Sequence, residues 1–169
     1  MKTRILSKEK IEADRAILPS DKSTFEAWLG EDYQYLLELS DVNALDNNNQ
    51  TALDYAISIG SKEQVEFLLD HGALPISPQN PTVNDIPLIH RAIKSKHEEI
   101  ALMLLKKFPA LEGQLDCYKN TPLISAIEGQ CLKVVDYLIN QKSTINWANN
   151  QLITPLWLAA SLGLDSQVS

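Results

Sequence analysis

The chain has 169 residues, with 15 Lys and Arg against 22 Asp and Glu, for a formal net charge of −7. That balance argues against nucleic acid or an anionic membrane as the main partner, because both are gripped by clustered cations. Hydrophobic residues make up 44% of the chain, enough to bury a core and to exclude a disordered polymer.

No apolar run reaches the roughly 18 residues that a membrane span requires, so no membrane insertion is expected. The opening stretch MKTRILSKEKIEADRAIL is charged throughout and lacks the apolar core of a signal peptide. Two cysteines, Cys117 and Cys131, form no disulfide framework and suit a reducing cytoplasm.

In chain order, residues 1–22 read as an N-terminal arm or capping helix, broken at Pro19. Residues 23–50 read as a shortened helical pair. Phe25, Trp28 and Leu29 mark the first helix, and Tyr33, Leu36 and Leu37 the second, at i, i+3, i+4 spacing. Residues 51–86 form the clearest pair. Thr51 caps its first helix, Leu53, Ala56 and Ile57 are the buried face, and Gly60 ends it as a left-handed cap. Val65, Leu68 and Leu69 are the buried face of the second helix, and Gly72 closes the pair.

Residues 87–120 repeat that frame, with Ile100, Leu104 and Leu105 at the places of Val65, Leu68 and Leu69. Here Pro87 replaces the capping Thr, and Phe108 and Pro109 replace the closing Gly-Ala. The preceding loop, 74–86, holds Pro75, Pro78 and Pro81, which argue against a regular hairpin there. Residues 121–153 keep the frame, with Val135, Leu138 and Ile139 in the second helix and Cys131 as a small helix residue. Residues 154–169 open the frame again but hold only the start of a second helix, with Val168 at the place of Val65.

Four phrases carry this frame: TALDYAI (51–57), PLIHRAI (87–93), TPLISAI (121–127) and TPLWLAA (154–160). Their Ala positions, Ala56, Ala92, Ala126 and Ala159, are 36, 34 and 33 residues apart. A period near 33 built on T-P-L-x-x-A resembles the ankyrin repeat. The stretch DVNALDNNNQ (41–50) is similar to the family's turn sequence, with Asn49 in the glycine place. The resemblance covers residues 23–169 and implies an all-α solenoid of stacked helix-turn-helix units, about four full repeats plus an incomplete last one.

What the resemblance implies is non-catalytic binding of another protein through loop tips and the exposed side of the first helices, lining a concave groove. Carried over by alignment, the partner-binding places are Leu45, Asn47, Asn48, Gln50, Ser58 and Ile59 in the first full unit. The next units give Val83, Asn84, Ile86, Lys94 and Ser95, then Leu115, Cys117, Tyr118, Asn120 and Glu128, then Asn150, Gln151 and Ile153. Tyr118 and Ile59 are the stronger anchors, since aromatic and apolar groups often dominate binding and a turn has no use for them. Asn47, Asn48 and Asn150 are equally explained by the preference of turns for Asn.

Chemistry is not expected. His90 falls in the histidine place of T-P-L-H, which in this family braces the turn by hydrogen bonding. His71 and His97 show no metal-ligand spacing, and no phosphate-binding glycine loop exists, so no metal or cofactor is expected. A Cys117–His90 nucleophile pair would lack an orienting group and an oxyanion hole. Leu156, Leu158, Leu162 and Leu164 would leave an unmatched apolar face, so further C-terminal repeats, or another chain, are expected to cover this end. The alternative reading is an N-terminal targeting or substrate-recognition module of a larger multidomain protein. The Asn-, Gln-, Lys- and Ile-rich composition is compatible with a secreted effector of an intracellular bacterium, acting in host cytosol.

Overall fold

The computed structural model describes residues 42–43, 50–75, 86–142 and 144–163. The expectations for residues 1–22, for the pair over 23–40, for Asn49, for the loop over 76–85, and for Leu164 and Val168 concern residues outside these. The described residues form seven α-helices and one 3-10 helix, with no strand among them. They divide between two compact units, residues 1–74 and 75–169.

In the first unit, α1 (Ala52–Ile59) and α2 (Lys62–Asp70) form one antiparallel pair. A capping box starts α1. The Thr51 hydroxyl accepts the Asp54 N–H at 3.2 Å, and the Asp54 carboxylate accepts the Thr51 N–H at 2.8 Å. Gly60 stops the helix at φ 79°, and its N–H donates to the carbonyls of Ala56 and Ile57. Leu53, Ala56 and Ile57 of α1 meet Val65, Leu68 and Leu69 of α2 in the core, as the spacing predicts. Asn43 ties the preceding turn to the end of the pair. Its amide donates to the Gly72 carbonyl at 3.2 Å, and its carbonyl accepts the Leu74 N–H at 2.8 Å.

In the second unit, α3 (Leu88–Lys94) pairs with α4 (Glu98–Lys107), and α5 (Pro122–Glu128) pairs with α6 (Leu132–Gln141). The last helix is α7 (Pro155–Ser161). First helices pack on first helices, α3 on α5 and α5 on α7, while α4 packs on α6. Two helical layers result. Thr121 and Thr154 cap α5 and α7 through their hydroxyls, each followed by a proline that lacks the N–H a first turn cannot use. Pro87 heads α3 without a side-chain cap.

Three places depart from the sequence reading. Phe108 and Pro109 do not simply close a pair: Pro109–Gly113 winds into a 3-10 helix that buries Leu111 and packs on α4 and α5. Cys131 is not inside a helix but at the N-cap of α6, buried and without a capping bond of its own. The neighbouring pair supplies the cap instead, because Glu98 accepts the Lys133 backbone N–H at 3.0 Å. Finally, Val134 joins Val135 and Leu138 on the buried face of α6, and Ile139 is only half-buried.

The left-handed cap at Gly60 recurs once per pair, at Lys96 (φ 60°), Gln130 (φ 55°) and Gly163 (φ 70°). A side chain with a Cβ is strained there, since Cβ crowds the following carbonyl. Replacing Gln130 with Gly should therefore raise the free energy of unfolding by about 0.5–1 kcal/mol. Removing the α5 cap with Thr121→Ala should lower it by about 1 kcal/mol. Urea titrations of the two variants against the parent check both signs.

Candidate functional site

Two short turns precede α5 and α7, and they share one construction. In the first, Lys119 N–H donates to the Asp116 carbonyl at 3.0 Å and Asp116 N–H to the Asn120 carbonyl at 3.1 Å. In the second, Leu152 N–H donates to the Asn149 carbonyl at 3.0 Å and Asn149 N–H to the Ile153 carbonyl at 3.1 Å. The last turn residue, Lys119 or Leu152, sits at φ 61° in each. This is a tight turn closed by one left-handed residue, the bulged reversal usual for loops of this length.

The side chain at the head of each turn holds it shut. Asp116 Oδ1 accepts the N–H groups of Tyr118 and Asn120, both at 2.9 Å. Asn149 Oδ1 accepts those of Gln151 at 2.9 Å and Ile153 at 3.0 Å. Asp and Asn suit this place because their short side chains reach the backbone two and four residues on.

The turns are also joined to each other. Asn150 N–H donates to the Tyr118 carbonyl at 3.1 Å, and the Asn149 amide donates to Asn120 Oδ1 at 2.8 Å. Asn120 in turn donates to Asp116 Oδ2 at 3.2 Å, and Lys94 Nζ lies 3.4 Å from that same oxygen. A continuous polar ladder thus runs from the end of α3 through both turns.

This ladder corrects one expectation. Asn120, carried over as a partner-binding residue, is only 5% exposed, and both ends of its amide are used inside the fold. It supports the surface from beneath. Gln50, Ile86, Leu115, Cys117 and Ile153 are half-buried, while Ser58, Lys94, Ser95, Glu128, Asn150 and Gln151 are exposed. Ile59 at the end of α1 is 56% exposed and Tyr118 at the first turn 51%. Leu45, Asn47, Asn48, Val83 and Asn84 lie outside the described residues. Within the second unit, Lys94, Tyr118 and Asn150 are drawn together by the ladder.

Three residues escape the sequence reading. Leu152 is 84% exposed at the left-handed position of its turn, and Trp147 is also exposed. Asp116, the hub of the ladder, is almost fully buried. One signal for it exists: an Asp or Asn stands five places before each Thr of the repeated phrase, at Asp46, Asp116 and Asn149.

His90 is fully buried and braces two pairs at once. Its Nε2 donates to the Gln114 carbonyl at 2.8 Å, so Nδ1 is unprotonated and accepts the Ser125 hydroxyl at 2.8 Å. Burial pushes its pKa below the ordinary imidazole value; the Gln114 carbonyl and the Asp116 charge oppose this, and Lys94 adds to it. Both nitrogens are occupied, so neither is available to activate Cys117. Burial, with Glu98 nearby, raises the pKa of the Cys131 thiol and keeps it protonated. Among the described residues no group of three His, Cys, Asp or Glu is placed to hold a metal ion, and no helix is long and apolar enough to cross a membrane.

Asp116 and Glu128 titrate in opposite directions. Burial pushes the Asp116 carboxyl up, but the N–H groups of Asn120 and Tyr118 outweigh it and the net value is low. Partial burial of the Glu128 carboxyl on its otherwise exposed residue raises its value, with Lys94 opposing and Asp116 reinforcing.

These shifts fix the sign of the pH dependence. Above the ordinary imidazole value His90 is neutral in both folded and unfolded chains and adds no slope. Below it the unfolded chain takes up a proton that the buried site refuses, so stability falls until the depressed folded value is reached. The loss of unfolding free energy between about pH 8 and about pH 5 should therefore shrink in His90→Gln. Glu128 has the reverse sign: its raised folded value stabilises only at acid pH, so Glu128→Gln should stabilise the protein near neutrality. Denaturant titrations across that range check both.

Comparison with known proteins agrees with this geometry. The family model described as ankyrin repeats (3 copies) matches residues 29–111 and 89–168. A fowlpox virus (strain NVSL) protein described as an ankyrin repeat protein is 28% identical over 114 residues, 67% of this chain. The chain spans 18% of that protein's length. With paired helices, recurrent Thr caps and bulged turns in register with the matched repeats, the chain belongs to the ankyrin-repeat family.

Proposed function

We propose that this chain binds another protein through its turn tips and the exposed ends of its first helices, without catalysing a reaction. Ankyrin repeats generally act as protein–protein interaction modules, which supplies the class of partner. One observation carries the reading to particular residues. The turn backbones are satisfied internally, yet they hold Tyr118 and Leu152 out in water. A left-handed turn position is served best by Gly, so a Leu there costs backbone strain and exposes apolar surface. Recognition of a partner accounts for both costs, because desolvated aromatic and apolar anchors dominate binding energies.

The remaining surface fits the same use. Ser58 and Ile59 end α1, and Lys94 and Glu128 end α3 and α5 at corresponding places, so charge changes sign from one repeat to the next. Such alternation selects among partners more than it adds affinity. The absence of catalysis is supported by the double engagement of His90 and the protonated Cys131. Both cysteines are unpaired, which supports a reducing, cytoplasmic setting. A second reading, a recognition module within a longer protein, is favoured by the small fraction of the fowlpox protein that this chain spans.

The test is quantitative capture of partners from a lysate with the parent, Tyr118→Ala, Leu152→Ala and Ile59→Ala. Loss of a buried anchor should weaken a specific partner by about tenfold or more, that is, over 1 kcal/mol. Full retention of every partner by all three variants would remove the surface from consideration.

A further inference from the structure

The turn ahead of α5 and the far end of α5 carry an unbalanced set of charges. Lys94, at the end of α3, reaches across to Asp116 Oδ2 at 3.4 Å. Asp116 is almost fully buried, and its carboxylate also accepts the N–H groups of Tyr118 and Asn120 and the Asn120 amide. Glu128 ends α5 at the place that Lys94 holds in α3. The charges that act on Glu128 are Asp116 and Lys94, the latter already drawn to Asp116. Arg91 reaches back to the Ile86 carbonyl at 3.4 Å, and His90 is neutral near pH 7. Two carboxylates thus share one ammonium, which leaves Glu128 with a negative charge that is only partly answered.

We propose that Tyr118, Leu152 and Glu128 together receive a protein segment that carries a Lys or Arg close to an apolar residue. The cation seats on the Glu128 carboxylate, and the apolar side chain covers Tyr118 and Leu152. This names the partner chemistry of the turn-tip reading and rests on that reading.

The free fold disfavours the charge on Glu128. Partial burial raises its pKa, so the ionised form costs stability near neutrality. A cation arriving beside it reverses that cost, because an opposite charge favours the ionised form. A structural ion pair shows the other behaviour, a carboxyl held low by its partners, and Asp116 is such a group. An anionic segment would have to meet Lys94, whose ammonium Asp116 already holds, and would be repelled by a net charge of −7. A free small cation would meet Glu128 and leave Tyr118, 51% exposed, and Leu152, 84% exposed, in water. Tyr118 stands ahead of α5 and Glu128 ends it, and the seven residues of α5 rise about 10 Å. In an extended segment the basic and the apolar residue would therefore stand about three to four places apart.

The test selects binders from a displayed library of random short peptides on the 169-residue chain, and compares them on Glu128→Gln, Glu128→Lys, Tyr118→Ala and Leu152→Ala. Glu128→Gln keeps the shape and removes a charge the fold disfavours, so binding lost there is not structure lost. The expected peptides carry a Lys or Arg near an aromatic or aliphatic residue. Glu128→Gln should weaken them by about tenfold and remove the salt dependence of their binding. Tyr118→Ala and Leu152→Ala should weaken them as well, and Glu128→Lys should turn the selection towards acidic peptides. The Glu128 titration midpoint, followed by NMR, should fall when such a peptide binds. Peptides without a basic residue, or basic peptides indifferent to Glu128→Gln, overturn the proposal. Where those peptides still depend on Tyr118 and Leu152, the turn-tip reading stands without it. Basic peptides that need Glu128 but neither Tyr118 nor Leu152 overturn the combined surface and the turn-tip reading together. No enrichment on the folded chain does the same.

Discussion

A pair of helices seven and ten residues long, such as α3 and α4, has two apolar faces and can bury only one against its own partner. The second must be buried by a neighbour, and this constraint organises the molecule. It explains why Ala stands at 92, 126 and 159: the small side chain lets first helices approach, so Ile89, Ile93, Leu123 and Ile127 can be sealed. It also explains why a histidine can be buried. His90 lies at the seam between two pairs, where the Gln114 carbonyl behind its own pair takes one ring nitrogen and the Ser125 hydroxyl of the next pair the other. Left unpaired in that position, a polar ring would cost more than it contributes.

Polar groups at the turns are treated by the same accounting of donors and acceptors. Each reversal exposes backbone N–H groups that no helix satisfies, and Asp116 and Asn149 take two of them each. Because Asn120 links the two head groups, the turns are fixed relative to one another as well as internally. A surface held this way loses little freedom when a partner lands on it, which lowers the cost of association. On the proposed binding role the ladder connects fold to function, because the buried side chains beneath the turns determine how rigidly Tyr118 and Asn150 are held.

Much of this is legible in the residues themselves. Ala, Leu, Val and Ile at helical spacing identify the buried faces, because burial depends on which side of a helix a residue occupies and little else. Thr51, Thr121 and Thr154 announce helix starts for a local reason, a hydroxyl within reach of the third N–H. Features set between pairs are harder to read. Asn120 looks like a tip residue in sequence, and its burial follows from Asn149, which lies 29 residues away. The capping of α6 by Glu98 crosses 35 residues and is invisible in the local sequence around Cys131. Lys96 and Gln130 give no sign of left-handed backbone, since the close packing of the flanking helices imposes it on side chains that would otherwise avoid it. The 3-10 helix at Pro109–Gly113 is likewise decided by Leu111 finding a place in the core.

The division between seam and tip bears on how such a chain can acquire a particular partner. Seam positions are coupled to a neighbour and to each other, so changing Ile89 or His90 alone leaves a void or an unmet hydrogen bond. Tip positions are coupled only through their backbone, and the head-group side chain already secures that. Tyr118, Asn150, Gln151 and Leu152 can therefore change identity without disturbing the turn, provided Asp116 and Asn149 stay. Leu152 shows the limit of this freedom: a left-handed residue is strained by any side chain, so Leu there costs the fold more than Gly would. The same reasoning applies to α7. Leu156 and Trp157 stand at the places of Ile89 and His90 yet are exposed, while Leu158 and Ala159 on the other side of the helix are buried.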